Sequence, residues 1–425
     1  MIGFLKENKS INVILILYNI IIWSYVSLTP MILTKYYGYS ETILSFATNI
    51  FLITTLSSAI YFNTMFENKI KFKNLLNITL LLFILSLLVL TLITKYNLPK
   101  ELLYIAKGLE GMGWGLMTVK IGYIYKLILL SNDKNAMINA VKTSIVYLLK
   151  AVMPIIFSYI FLIEGKEYMV FAVSMLFYIL FLIYVARTKK SIYNQIQNKI
   201  DNYQGKIEKK SFIKNLKTML NFYKGELLKE KIYFTLINFF QNASRPFYDL
   251  YMVIFLINVL NYSVVETASI LSFMVMGQAS QFISSYILKY VSVRIYRILG
   301  IIIYAIPFLL IINYYDILKQ NILYLYVLFF IFGFGRSFYA NYSYIYVMEL
   351  SKKIKINQID FATMIFAELS HNIAYFIYGI IMLNGVKIEE LFHLWYVLLA
   401  GLVLVWFLFD LREDFLEGEA KEEKI

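Results

Sequence analysis

The chain has 425 residues, of which 60% are hydrophobic, with a formal net charge of +13 and no cysteine; its mean hydropathy is +0.67. A soluble domain of this length has no use for that much apolar surface, and the missing thiol excludes disulfides, thiol catalysis and cysteine-based metal sites. The excess of basic residues gathers in the short loops on one side of the expected spans, which marks membrane topology rather than nucleic-acid binding.

Apolar stretches of about 20 residues, the length that crosses a bilayer as helix, recur along the whole chain. Twelve are read, and the sequence predicts an all-α integral membrane protein. The first six run Ile11 to Ile32, Thr42 to Phe62, Leu76 to Thr94, Glu101 to Leu127, Met137 to Leu162 and Met169 to Val185. The second six run Tyr233 to Val259, Thr267 to Leu288, Ile295 to Tyr314, Ile322 to Met348, Phe361 to Leu383 and Leu391 to Phe409. The first stretch follows Lys6 and Lys9 but is too long for a cleaved leader and lacks a small-residue cleavage pattern before Pro30, so it reads as a retained helix. Placing the N-terminus in the cytoplasm puts most Lys and Arg inside, and with an even number of spans the C-terminus is inside too.

A basic polar stretch, Arg187 to Lys231, separates the two sets of six. Within it Ile192, Ile196, Ile200 and Tyr203 recur at helical spacing, as do Ile213, Leu216 and Leu220, with lysines between them. Two readings fit: a solvated tether, or an amphipathic helix on an anionic inner leaflet with a regulatory role. The expected organisation is therefore a six-helix half at 1–186, a cytoplasmic linker at 187–231, a second six-helix half at 232–410 and a charged cytoplasmic tail at 411–425.

The halves echo each other at a spacing of roughly 225 residues. "YSETILSF" from Tyr39 returns as "YSVVETASILSF" from Tyr262, Ser57-Ser58 as Ser284-Ser285, and "GMGWG" from Gly111 as "GFGRS" from Gly333. Six spans per copy give both copies the same membrane orientation, a parallel pseudo-symmetric repeat about an axis along the membrane normal.

Ionisable side chains within such spans are expensive unless paired or facing water, so each is a candidate for function. In the fourth span Lys107 and Glu110 are three apart and share a face, while Gly111 and Gly115 form a small-xxx-small stripe for close helix packing. The pair reads either as a transport or proton-coupling element facing a cavity, or as a structural ion pair. Lys120 lies near the cytoplasmic end, where it can snorkel. The seventh span carries Arg245 and Asp249 four apart around Pro246, with Asn238, Gln241 and Asn242 one turn earlier; the proline is expected to kink or break this helix where it lines a cavity. The tenth span has Arg336 after "GFG" and Asn341 below it, and the fifth has Lys150. Glu368 and His371, three apart in the eleventh span, have the chemistry of proton carriers, with a satisfied buried histidine as the other reading. No Gly-rich stretch precedes Lys-Ser/Thr as a phosphate loop does, and "EELFH" ending at His393 is the sole metal-like cluster, so neither an enzyme nor a metal or cofactor site is expected.

The count of six plus six, the basic central loop and the inside termini resemble the major facilitator superfamily of secondary transporters. The fourth span adds a local match: where many members carry Arg-x-x-Gln-Gly and further glycines, this chain has Lys107, Glu110 and Gly111, then Gly113 and Gly115. The loop after the second span keeps the family's basic residues at Lys69, Lys71 and Lys73 but has Asn63 and Glu67 where a glycine and an aspartate are usual. In the fifth span the glycines of the drug-antiporter pattern are absent, although Ala140 and Pro154 are kept.

The resemblance implies two six-helix bundles with a central cavity lined by the first, fourth, seventh and tenth helices. It would place Asn19, Trp23, Lys107, Glu110, Arg245, Asp249 and Arg336 there, flanked by Lys150, Glu368 and His371. The expected solute-binding set is Asn19, Trp23, Lys107, Lys150, Gln241, Arg245 and Arg336, and the expected proton-coupling set is Glu110, Asp249, Glu368 and His371. Guanidinium groups fork onto carboxylate or phosphate, which favours a small polar or anionic solute moved by alternating access with a coupled proton or solute. The expected partners are that solute, the coupling ion and membrane lipids, with no cofactor and no nucleic acid, for a monomer in the plasma membrane. Proton-coupled multidrug efflux is the alternative within transporters; a flippase for lipid-linked oligosaccharides and a non-transporting sensor are the alternatives outside them.

Overall fold

A computed structural model of the chain describes residues 9–65, 71–130, 135–161, 166–188, 193–194, 228–288, 290–353 and 356–409, with backbone alone at 9–15, 62–65, 118–130, 135–143, 293, 343–353, 356–366 and 406–409. The described residues contain helices and no strand. The helices group into twelve rods. The first six are α1 (Lys9–Tyr25, continued by Leu28–Tyr37), α2 (Glu41–Met65), α3 (Phe72–Tyr96), α4 (Leu102–Leu130), α5 (Asn135–Phe161) and α6 (Tyr168–Arg187). The second six are α7 (Leu228–Ala243, continued through Phe247–Tyr251 to Phe255–Val259), α8 (Val264–Ala279 and Gln281–Ile287), α9 (Val293–Leu318), α10 (Ile322–Lys353), α11 (Ile356–Leu383) and α12 (Ile388–Leu391 and His393–Phe409). Left-handed residues stop two of them, Gly38 (φ 59°) after α1 and Asn97 (φ 48°) after α3.

Among the described residues, eight helices are long and apolar enough to cross a membrane. The four rods outside that set each have a local reason. The regular α-helical stretches of α7 and α8 are 16 residues each before a π-turn or a break, and α4 and α11 run into stretches described by backbone alone. The linker positions Ile192, Ile196, Ile200, Tyr203, Ile213, Leu216 and Leu220, the loop residues Glu67 and Lys69, the tail 411–425 and the side chains of Asn63, Lys120 and Ala140 lie outside the described residues. Tyr193, just past α6, is buried; its hydroxyl donates to the Val185 carbonyl at 3.1 Å, and Lys73 Nζ stands 5.3 Å over its ring.

The chain forms two compact units. Unit 1 comprises Met1–Ile138, Val152–Leu216 and Ser263–Ala268; unit 2 comprises Asn139–Ala151, Lys217–Tyr262 and Ser269–Ile425. Inside unit 1, α2 and α3 both pack against α4, α3 also packs against α6, and α1 packs against α6. Inside unit 2, α8 and α9 pack against α10, and α7 packs against α11 and α12. The pairs α2 with α4, α3 with α4 and α1 with α6 thus recur as α8 with α10, α9 with α10 and α7 with α12. The sequence echo is an echo of packing.

Between helices in lipid there is no apolar–water difference to exploit, so contact comes from small residues and interhelical hydrogen bonds. In unit 1 a methyl group at Gly111 would overlap the Phe51 carbonyl and the Thr54 hydroxyl, and one at Gly115 would overlap the Thr55 carbonyl and the Ser58 hydroxyl. The closeness lets Thr55 Oγ1 donate to the Gly111 carbonyl at 3.1 Å. In unit 2 the matching glycines of α10 do the same: Gly333 lies against the Met274 carbonyl of α8, and Gly335 against the Tyr304 backbone of α9. Ser337, at the position of Gly115 in the echo, bonds Ser284 Oγ at 2.9 Å.

Candidate functional site

The site begins with the local geometry of α7. Pro246 has no N–H, so one helical hydrogen bond is missing there, and the regular α-helix, which ends at Ala243 and is interrupted by a turn at Ser244, does not resume at once. It widens instead into π-helical turns at Phe247–Tyr251 and Phe255–Val259, a common way for a helix to absorb an irregularity beside a functional surface. The irregularity expected at the proline takes the form of this interruption and widening. The Ala243 carbonyl receives the hydroxyl of Tyr378 from α11 at 3.0 Å, and Phe247 N donates to Ser244 O at 3.3 Å. Tyr378→Phe is therefore expected to leave a buried carbonyl short of a donor and lower stability by about 1–2 kcal/mol. A thermal unfolding curve of the purified variant reads this directly, and an unchanged midpoint would mean the π-turns satisfy that carbonyl alone.

The widened helix presents Gln241, Arg245, Tyr248 and Asp249 to a cavity of about 310 Å³ within unit 2. Arg245 Nε lies 3.5 Å from Asp249 Oδ2, and Arg245 Nη1 is 3.5 Å from Asn242 Oδ1. From α10 comes Arg336, whose guanidinium stands 3.8 Å over the Tyr248 ring. That is a cation–π stack, which leaves the planar donor fork available for a ligand. No carboxylate pairs with Arg336 among the described residues. Lys150 on α5 completes the charged set. Three basic side chains thus face the cavity against one carboxylate, an excess of two positive charges. The field of Asp249 is felt first by Arg245, then by Lys150 and Arg336.

Behind the charges the lining is polar on α8 and α10 and apolar on α12. Gln278 and Gln281 line the cavity from α8. Gln281 Nε2 donates to Asn341 Oδ1 at 2.7 Å, and Asn341 Nδ2 reaches Ser284 Oγ at 2.6 Å and Tyr296 OH at 3.2 Å. This buried network fixes α8, α9 and α10 to one another beside the cavity. Opposite it, Trp395, Leu398, Leu399 and Leu402 of α12 line the wall.

Two further candidates stand near the site without lining it. Glu368 of α11 is within the electrostatic reach of Arg245. His371, one turn on, is buried, with neither ring nitrogen hydrogen-bonded and its ring 5.0 Å from that of Tyr375. Its field partners are Arg245 and Asp249. The sequence reading of a satisfied histidine finds no support in these contacts.

The remaining candidates lie in unit 1 and are absent from the cavity lining. Lys107 Nζ meets Glu110 Oε2 at 2.7 Å, with the glutamate side chain 2% exposed. Lys107 also stands 5.9 Å from the Phe51 ring centroid. The field of Glu110 reaches the buried phenols of Tyr18, Tyr25 and Tyr178. Trp23 Nε1 donates to Asn19 Oδ1 at 3.3 Å, so these two candidates engage each other, and Trp114 packs edge-on to Trp23.

Tyr248, Gln278, Gln281 and Trp395 line the cavity without having stood out in the sequence. A signal existed for the glutamines, two uncharged polar residues three apart in an apolar span, but no charge or proline stands beside them as it does beside Gln241. Tyr248 and Trp395 are aromatics among 75 residues of Phe, Tyr and Trp, 18% of the chain, and carry no signal of their own. Among the described residues no group of three or more His, Asp or Glu is placed to hold a metal ion.

The sequence model of the Major Facilitator Superfamily matches residues 11–379. No curated protein matches the chain in sequence. Among solved structures, the peptide transporter POT is similar at 13% identity and a TM-score of 0.67, over 96% of this chain and 95% of that one. The D-xylose-proton symporter is similar at 13% identity and a TM-score of 0.66, over 94% and 97%. The nucleoside transporter NupG is similar at 12% identity and a TM-score of 0.64, over 94% and 96%. At these identities the likeness is one of fold.

Proposed function

The chain belongs to the major facilitator superfamily, and we propose that this secondary transporter moves a small polar or anionic organic solute by alternating access. One observation carries the reading: among the described residues, Lys150, Arg245 and Arg336 converge on one cavity with Asp249 as their only lining carboxylate. A solute bearing a carboxylate or phosphate supplies the missing negative charge, and the unpaired fork of Arg336 is its natural docking point. Directional transport needs a binding free energy that differs between outward and inward states, and a group that changes protonation can provide it. Asp249, Glu368 and His371 are the groups of unit 2 assigned to that role, with Glu110 of unit 1 as the other member. Asn19, Trp23 and Lys107 are retained as solute contacts for a state in which their present partners let go. Coupling to a gradient fits the structural likeness to the D-xylose-proton symporter, whose proton coupling is a property of that protein. The placement of basic residues supports both termini and the 187–231 linker on the cytoplasmic side, between halves at 1–186 and 232–410, and the proposed setting is a monomer in the plasma membrane.

The direct test is ligand-induced stabilisation in detergent with a panel of organic anions, sugars, amino acids and lipophilic cations, beside Arg336→Gln. A ligand at about 100 times its dissociation constant adds about 2.7 kcal/mol. Stabilisation by anions that disappears in Arg336→Gln is the expected result. Stabilisation by lipophilic cations, equal in the variant, would overturn it and move hydrophobic efflux to first place. The aromatic and leucine lining of the cavity is the specific feature that keeps that second reading in play.

A further inference from the structure

Resting on the assignment of this cavity to an anionic solute, we propose that the solute is amphipathic: an organic anion with an aryl or acyl body, held by its charge on Arg336 and Arg245 and by its body on α12. The cavity is two-faced. Its basic face comes from α5, α7 and α10. Its other face is a single stripe of α12, Trp395, Leu398, Leu399 and Leu402, at positions i, i+3, i+4 and i+7. That spacing puts all four on one side of the helix.

Trp395 and Leu402, 1% and 4% exposed, anchor the stripe in the interior, and the half-buried Leu398 and Leu399 carry its accessible part. The opposite side of α12 is separately apolar and outward, with Val397 65% and Leu404 56% exposed. A helix that needed only to meet lipid on one side and water on the other would carry polar residues toward the cavity, as α7 does with Gln241, Arg245 and Asp249. Trp395 further lacks any free polar group to offer: its Nε1 donates to the Tyr304 hydroxyl at 3.4 Å, and its ring packs on Phe308 at 4.3 Å between centroids. What it turns to the cavity is ring. Gly401 lets α12 approach α7 closely, because a methyl there would strike the Phe240 ring of α7, itself part of the lining. A purely polar solute would leave this wall against water. A solute with an apolar body displaces that water, and its charge still meets the guanidinium groups.

The experiment is a chain-length series of monocarboxylates, acetate, butyrate, hexanoate and octanoate, with benzoate and the doubly charged succinate, read as dissociation constants from thermal shift of the full-length protein. The proposal expects about fourfold tighter binding per buried methylene until the wall is filled. It expects Leu398→Gln and Leu399→Gln to flatten the series while keeping the succinate response. Both leucines are half-buried, so these variants disturb packing less than a change at Trp395 would. The same series on Arg336→Gln separates the site from micelle partitioning: a chain-length effect that survives there overturns the proposal. A flat series in the wild type, with succinate bound and dependent on Arg336, also overturns it and leaves the anion-transporter reading standing. Failure of every anion in the wild type would remove that reading itself.

Discussion

Asp249→Asn is expected to abolish gradient-driven uptake while tightening the hold on an anion. The two effects have the same origin. Asp249 is the one carboxylate in the cavity lining, 3.5 Å from Arg245 and felt also by Lys150 and Arg336. Making it neutral raises the excess positive charge of the lining from two to three. A unit charge at 4 Å is worth about 4 kcal/mol at an effective dielectric of 20. The Arg245 and Asp249 side chains are 39% and 27% exposed, so only a fraction of that is realised. About tenfold tighter anion binding, roughly 1.4 kcal/mol, is a conservative expectation. Transport suffers because the carboxylate is also what takes Arg245 back when the solute leaves; without it the bound state has no competitor, and a proton has no acceptor beside the arginine. Binding by thermal shift and uptake into proteoliposomes under an imposed pH gradient check the two halves. Unchanged uptake would make Asp249 a bystander. Weaker anion binding would mean that the carboxylate acts by orienting Arg245 rather than by competing with the solute.

The fold was legible because its signal is coarse and repeated. Spans of about 20 apolar residues, a basic interruption halfway and an offset of roughly 225 residues between like segments each survive an error of several residues. The charged part of the site was legible for a related reason: Arg245, Asp249, Arg336 and Lys150 are costly in an apolar span, so their presence alone is information. How they divide was not. Lys107 and Glu110 have the same three-residue signature as Glu368 and His371, but the first pair closes on itself at 2.7 Å and the second does not. That difference lies in helix rotation and in neighbours from distant sequence. The apolar wall was hidden more deeply, since a stripe at helical spacing on a helix that is apolar all round has no contrast in one dimension. Pro246 announced an irregularity in the seventh span but not its form: the interruption at Ser244 is followed by π-turns with five-residue spacing, which one missing N–H does not specify.

The glycines of α4 and α10 are expected to respond to alanine in opposite directions according to what stands over them. Gly108→Ala adds a methyl whose nearest neighbour, Ile50 Cγ2, is 3.8 Å away, an ordinary contact. Removing a helix-interior glycine then favours the folded state by roughly 0.5–1 kcal/mol. Gly111→Ala meets the Phe51 carbonyl and the Thr54 hydroxyl, and Gly333→Ala meets the Met274 carbonyl with nothing flexible to yield. Each is expected to destabilise by about 1–3 kcal/mol as the helices are forced apart, with Gly333 at the upper end because its obstacle is backbone alone. Thermal unfolding of the three variants orders them, and a Gly333→Ala midpoint at or above wild type would mean α8 and α10 are not locked as described. The functional consequence falls on Gly333 as well. Arg336 follows it by less than one turn, and the Ser337 to Ser284 bond at 2.9 Å joins α10 to α8 at the same level. Moving α10 off α8 shifts Arg336 relative to Tyr248 and breaks that bond, so Gly333→Ala should lose anion-dependent stabilisation, whereas Gly111→Ala, in the other unit, should keep it. Close packing in unit 2 is in this sense part of the binding site: the glycine that admits α8 also sets where the guanidinium stands.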